Sequence, residues 1–233
     1  MEALLNFDQI LTLILFCLWL LAFIFKPELR KEMFVLSIFS IFILPVTFIL
    51  NPPLVGQTYQ VVAELNFTSL VFIIATTGLA GVVFHLFTGK NYHNLPKIKA
   101  GVKKEAGLAS QFWIIQIFLT LLCLTWGTTL LIFFFHISVA GGFLLSTTIL
   151  TAYIFSHRQD LLLDAVWSGV LMAIIVFIIS VIASVFVEAD STIIYTPRLH
   201  SFFGVPSTLL VWSLAVGLGL GPIYEYVRRL ELS

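Results

Sequence analysis

Apolar residues along this chain gather into seven long runs, parted by short polar clusters. The runs cover roughly 7–25, 33–50, 66–88, 111–134, 138–155, 162–187 and 203–226. Each is close to the ~20 residues with which a helix crosses a hydrocarbon layer about 30 Å thick. Membrane barrels are built from alternating segments of about ten residues, and that pattern is absent. The periodicity therefore predicts an all-α protein, a polytopic transmembrane bundle of seven spans. Runs four and five almost touch, so His136 to Gly142 is expected to form a tight turn. Gly89 to Gln111 is the only stretch that reads as a linker.

Composition strengthens this picture. Of 233 residues, 60% are hydrophobic and 10% charged, against a charged share of about 25% in soluble domains. The twelve lysines and arginines are placed unevenly. Lys26, Arg30 and Lys31 lie between runs one and two. Lys90, Lys97, Lys99, Lys103 and Lys104 lie between three and four. Arg158 lies between five and six, and Arg228 and Arg229 follow run seven. Only Arg198 falls on the other side. Positive loops stay in the cytoplasm, so the N-terminus is expected outside and the C-terminus in the cytoplasm, in a cell or inner membrane. The acidic start, MEALLNFDQ, does not read as a signal peptide. Cys17 and Cys123 both fall within runs and read as apolar filler, not as a disulfide or metal pair.

The chain also repeats itself. Gly78 to Lys90 reads GLAGVVFHLFTGK, and Gly217 to Arg229 reads GLGLGPIYEYVRR. Aligning Gly81 with Gly221 sets Phe84 on Tyr224 and His85 on Glu225. Glu28 and Glu32, before and at the start of run two, match Asp160 and Asp164 at run six. Runs one to three then correspond to runs five to seven, with run four as connector. The expected division is a first three-span repeat at 1–90, a basic loop and connector at 91–136, and a second three-span repeat at 137–233. Three spans plus one connector give the copies the same orientation, and in membrane proteins built this way the working site commonly lies between the copies. Missing side chains at Gly217, Gly219 and Gly221 would let a neighbouring helix come close.

Charge is absent from the middle of every span. A charge there is costly and is kept for function, which argues against a proton pump, an ion channel or a voltage sensor. Run seven has no lysine for a retinal Schiff base, and no nucleotide or metalloprotease motif is present. Ionisable groups collect instead at the two edges: His85, His157, Asp164 and Glu225 on the inner side; Glu64, His136, Glu188, Asp190 and His200 on the outer. A carboxyl group against apolar walls can serve as a general acid. The plain alternative for each is contact with headgroup water, or pairing with Arg158, Arg198 or Arg228. Glu225 stands out because a glycine-lined helix and Tyr224 accompany it. No second ligand sits at a short fixed spacing from His85, so neither a metal nor a cofactor is expected. The threonines within the spans read as helix packing.

Several segments together resemble one family. KPELRKEMFVLSIF at 26–39, NPP at 51–53, the GLAGVVFH ending and the GPIYEYV ending are similar to the small membrane-embedded lycopene cyclases, whose two three-span halves occur as separate subunits or fused. The resemblance covers nearly the whole chain. It implies a carotenoid or related polyisoprenoid substrate and a redox-neutral ring closure by acid–base chemistry. It implies acid and base roles for Glu225 and an outer carboxylate, Glu64 or Glu188. The family's Pro-x-Glu-Glu motif at the third span is represented here by Pro206 without its acids, and Phe84-His85 stands where Tyr-Glu is typical. The alternative is a non-catalytic relative that holds a polyisoprenoid or a partner membrane protein. The bilayer is the expected partner in either case; no nucleic acid is expected, and a homo-oligomer stays open.

Overall fold

The structure, a computed structural model, describes residues 7–49, 67–89, 92–94, 112–186, 201–203, 205–228 and 230–232. Within them the chain is a helical bundle. Its long helices are α1 (Phe7–Phe25), α2 (Arg30–Ile49), α3 (Phe67–Thr88), α4 (Trp113–Phe135), α5 (Val139–His157), α6 (Leu162–Phe186) and α7 (Ser207–Leu220), followed by the short α8 (Ile223–Arg228). Every predicted run is helical, within a few residues at each end. Among the described residues, six spans are long and apolar enough to cross a membrane, counting α7 and α8 as one. The 20-residue α2 adds a seventh long helix. This is compatible with an integral membrane protein.

Run seven breaks in two at Gly221-Pro222. Proline lacks the N–H that would continue the ladder and suits the first turn of a new helix. The Gly221 N–H still donates to the Gly217 carbonyl at 2.9 Å, and the Tyr226 N–H donates to the Pro222 carbonyl at 2.9 Å. The tight turn between α4 and α5 is as expected. His136 takes a left-handed conformation at φ 52°, and Ser138 caps α5 by accepting from the Gly141 N–H at 3.2 Å. Arg30 ties α1 to α2, donating to the carbonyls of Phe23 and Ile24 at 2.7 and 2.9 Å. A cation there also offsets the negative end of the α1 dipole.

The two triplets pack alike. α3 lies against α1 and α2, and α7 lies against α5 and α6. Of the six spans compared, α3 is the most enclosed, because α6 and α7 cover its other side. Phe72 on α3 stacks on Trp212 of α7, centroids 5.5 Å apart, across this contact. Glycines make the close approaches. At Gly217 a Cβ would run into the Ser168 carbonyl group, and at Gly219 it would come within 2.6 Å of Thr147. At Gly78 it would meet Trp19 and Ser37, which are themselves hydrogen-bonded at 3.1 Å. Thr76, Thr77, Thr120, Thr125, Thr128, Thr129, Thr147 and Thr148 each donate to a carbonyl one turn back in their own helix, whereas Thr151 of α5 donates across to the Leu218 carbonyl of α7 at 3.0 Å.

Two short antiparallel ladders complete the described chain. β1 (Tyr92–Asn94) pairs with β4 (Leu230–Leu232), joining the segments that follow α3 and α8. β2 (Ser201–Phe202) pairs with β3 (Val205–Pro206) just before α7.

Candidate functional site

Among the described residues, four ionisable side chains are buried at one end of the bundle. Glu32 stands on the first turn of α2 and Asp164 on the first turn of α6. His85 lies on the last turn of α3, and Glu225 lies on α8. Their exposures are 1%, 0%, 2% and 0%. This is the end at which α1 passes to α2 and α5 to α6, so α2 and α6 each bring in a carboxylate at their start, and α3 and α8 supply His85 and Glu225.

The central contact is between His85 and Glu225. His85 Nε2 lies 2.5 Å from Glu225 Oε1, with both side chains fully buried. The two atoms are within hydrogen-bond reach, with the imidazole or the carboxyl as donor according to which holds the proton. Asp164 joins them: one ligand-type atom from each of His85, Asp164 and Glu225 lies within 4.8 Å of the others. Ser168, one turn along α6, donates to Asp164 Oδ1 at 3.2 Å.

Two equivalent arrangements build this site. In the first half, the missing side chain of Gly81 leaves a notch filled by Leu36, with Glu32 Oε1 3.6 Å from where a Cβ would stand. In the second, the notch at Gly221 is filled by Ser168, whose Cβ and Oγ would lie 2.7 and 2.8 Å from an added Cβ. Leu36 is one turn beyond Glu32, as Ser168 is one turn beyond Asp164. Gly81 is one turn before His85, as Gly221 is one turn before Glu225. A small residue thus lets the entering helix approach closely and carry its carboxylate in beside the partner on the leaving helix.

Aromatic rings adjoin the site. Trp113, at the start of α4, meets Tyr224 edge-on with centroids 5.9 Å apart. The Arg228 guanidinium lies 5.0 Å over the Trp113 ring and 5.8 Å from the Tyr224 ring. Tyr224 is within electrostatic reach of Glu32 and Glu225.

Of the inner set read from the sequence, His85, Asp164 and Glu225 come together, and His157 does not. The His157 ring is exposed, with Nδ1 3.0 Å from both Ser156 Oγ and the Tyr153 carbonyl oxygen. Arg158 pairs with Asp160. Of the outer set, His136 is exposed in its turn, and Glu64, Glu188, Asp190 and His200 lie outside the described residues. Glu32 belonged to neither set. Its signal was present, since it is the counterpart of Asp164 in the repeat. The spacing argument against a ligand partner for His85 considered neighbours along the chain; the fold supplies neighbours from across the bundle, 140 residues away in the case of Glu225.

Comparison with protein-family models, with curated proteins and with solved structures finds no match to this chain.

Proposed function

We propose that this chain catalyses a redox-neutral, acid–base ring closure on a carotenoid or related polyisoprenoid, in the manner of the membrane lycopene cyclases it resembles. The observation that carries the reading is the buried His85–Glu225 pair with Asp164 beside it. Ring closure of a polyene needs one strong proton donor and one acceptor, both shielded from water so that the carbocation is not hydrated. In this reading Glu225, in its protonated form and oriented by His85, delivers a proton to the terminal alkene. The resulting cation is attacked by the neighbouring double bond, forming the ring carbon–carbon bond. Asp164 or Glu32 then removes a proton, which restores an alkene and leaves mass and oxidation state unchanged. The faces of Tyr224 and Trp113 suit a passing carbocation through cation–π attraction.

The second reading is a non-catalytic polyisoprenoid or membrane-protein binder. Its support is that the notches at Gly81 and Gly221 are filled by the chain's own Leu36 and Ser168. Expression in a bacterium that accumulates lycopene separates the two. A cyclase gives a new chromatographic peak of unchanged mass and altered absorption. Untouched lycopene in cells with well-inserted protein rules out lycopene cyclisation under those conditions, and a lipid that co-purifies then speaks for a binder.

The distribution of lysine and arginine supports a membrane orientation with the N-terminus outside and the site at the cytoplasmic face. Reporter fusions test it. A fluorescent protein at the C-terminus is expected to fold and glow, while alkaline phosphatase there is expected to be inactive; the opposite pair of results inverts the topology.

A further inference from the structure

The geometry points to a second capacity of the same cluster: His85, Asp164 and Glu225 form a binding site for a divalent first-row transition cation of the zinc or cobalt class. This inference does not depend on the cyclase reading. Three observations carry it. The donors come from three different elements, α3, α6 and α8, and converge within 4.8 Å. All three side chains are buried, two of them carboxylates at 0% exposure. The set is mixed, one imidazole with two carboxylates, which suits borderline divalent ions better than magnesium or calcium, whose ligands are oxygens.

With metal–nitrogen and metal–oxygen bonds of about 2.0 Å in tetrahedral geometry, neighbouring ligand atoms stand roughly 3.3 Å apart. The 2.5 Å between His85 and Glu225 opens by less than about 1 Å to admit a cation, and ligand atoms within 4.8 Å of one another close by up to about 1.5 Å. Three protein ligands leave one position open, the pattern of sites that hold water or substrate. Charge favours occupancy as well. A divalent cation adds positive charge beside two buried carboxylates, and buried charge is tolerated where it is paired or coordinates a metal. Ligand atoms bind a metal in their deprotonated form, so binding releases any proton they hold.

Cobalt absorption spectroscopy on the full chain, purified in detergent and stripped of metal, tests this. The expected result is about one Co²⁺ per chain with intense visible bands of a four-coordinate nitrogen–oxygen site, displaced by Zn²⁺. Glu225→Gln and Asp164→Asn, which keep side-chain shape, should each weaken binding by ~100-fold or more, as ligand loss exceeds the 10–100-fold typical of supporting residues. His157→Gln and His136→Gln should leave it unchanged. Only the weak spectrum of hydrated cobalt would overturn the assignment, as would a sulfur charge-transfer band from Cys17 or Cys123, or full binding retained in Asp164→Asn. Elution of each variant as a single symmetric size-exclusion peak keeps loss of fold apart from loss of the site.

Discussion

Replacing Glu225 by glutamine is expected to lower ring closure by about 10²–10⁴-fold, the range typical of losing a positioned general acid, with the amount of protein in the membrane unchanged. Glutamine keeps the size of the side chain and can still hydrogen-bond to His85, but it holds no transferable acidic proton. His85→Gln should fall in the same direction by a smaller factor, because it removes the group that orients the acid. The measurement is the ratio of cyclised to linear pigment at matched expression, by chromatography with mass detection. Glu64→Gln and Glu188→Gln are the informative companions. Retained activity in both, with loss in Glu225→Gln, places the acid at the His85 end of α3. The reverse pattern would move the chemistry to the segments before Phe67 and after Phe186 and sink the assignment of Glu225.

The second large effect is on stability. Gly217→Val should cost at least ~3 kcal/mol, the upper part of the range for overpacked cores. A Cβ at Gly217 meets backbone on the neighbouring helix: the Ser168 carbonyl oxygen, its carbon at 2.7 Å and the Gly169 Cα at 2.8 Å. No side-chain rotation relieves that clash, so α7 must move away from α6. The movement also disturbs Gly221 and Ser168, and through them Asp164. The contrasting substitution is Gly127→Ala on α4, where an added Cβ finds only Ser146 Oγ at 3.9 Å. It should be neutral or stabilising, since alanine is favoured over glycine in a helix by up to about 1 kcal/mol. Thermal denaturation in detergent, followed by loss of the monodisperse chromatographic peak, reads both. Equal melting behaviour of Gly217→Val and the unchanged chain would show that the α6–α7 contact does not limit stability.

The spans were readable because the membrane imposes one rule on them: about 20 apolar residues with internally satisfied backbone. That rule recovered Phe7–Phe25 as predicted and Phe67–Thr88 within one residue. The split of run seven was less visible, because Gly221-Pro222 breaks the hydrogen-bond ladder without breaking hydrophobicity. The site was half readable. Glu225 could be singled out by its glycines and Tyr224, and the repeat set it against His85. Glu32 served only as an alignment mark, since a carboxylate two residues past Arg30 looks like a solvated helix start. Its burial is a consequence of tertiary packing: the notch at Gly81 draws α2 inward, and no local pattern of charges announces that. The direct meeting of His85 with Glu225 follows from the way α3 faces the second half, which neither run supplies alone.

That meeting bears on how the two halves fit together. Positions 85 and 225 are counterparts, and they touch each other. Two identical halves assembled with the same symmetry would put imidazole against imidazole, or carboxylate against carboxylate, in a dry interior. Histidine in one half and glutamate in the other make the contact complementary. Each half is thereby fitted to its unlike neighbour and ill-suited to a copy of itself.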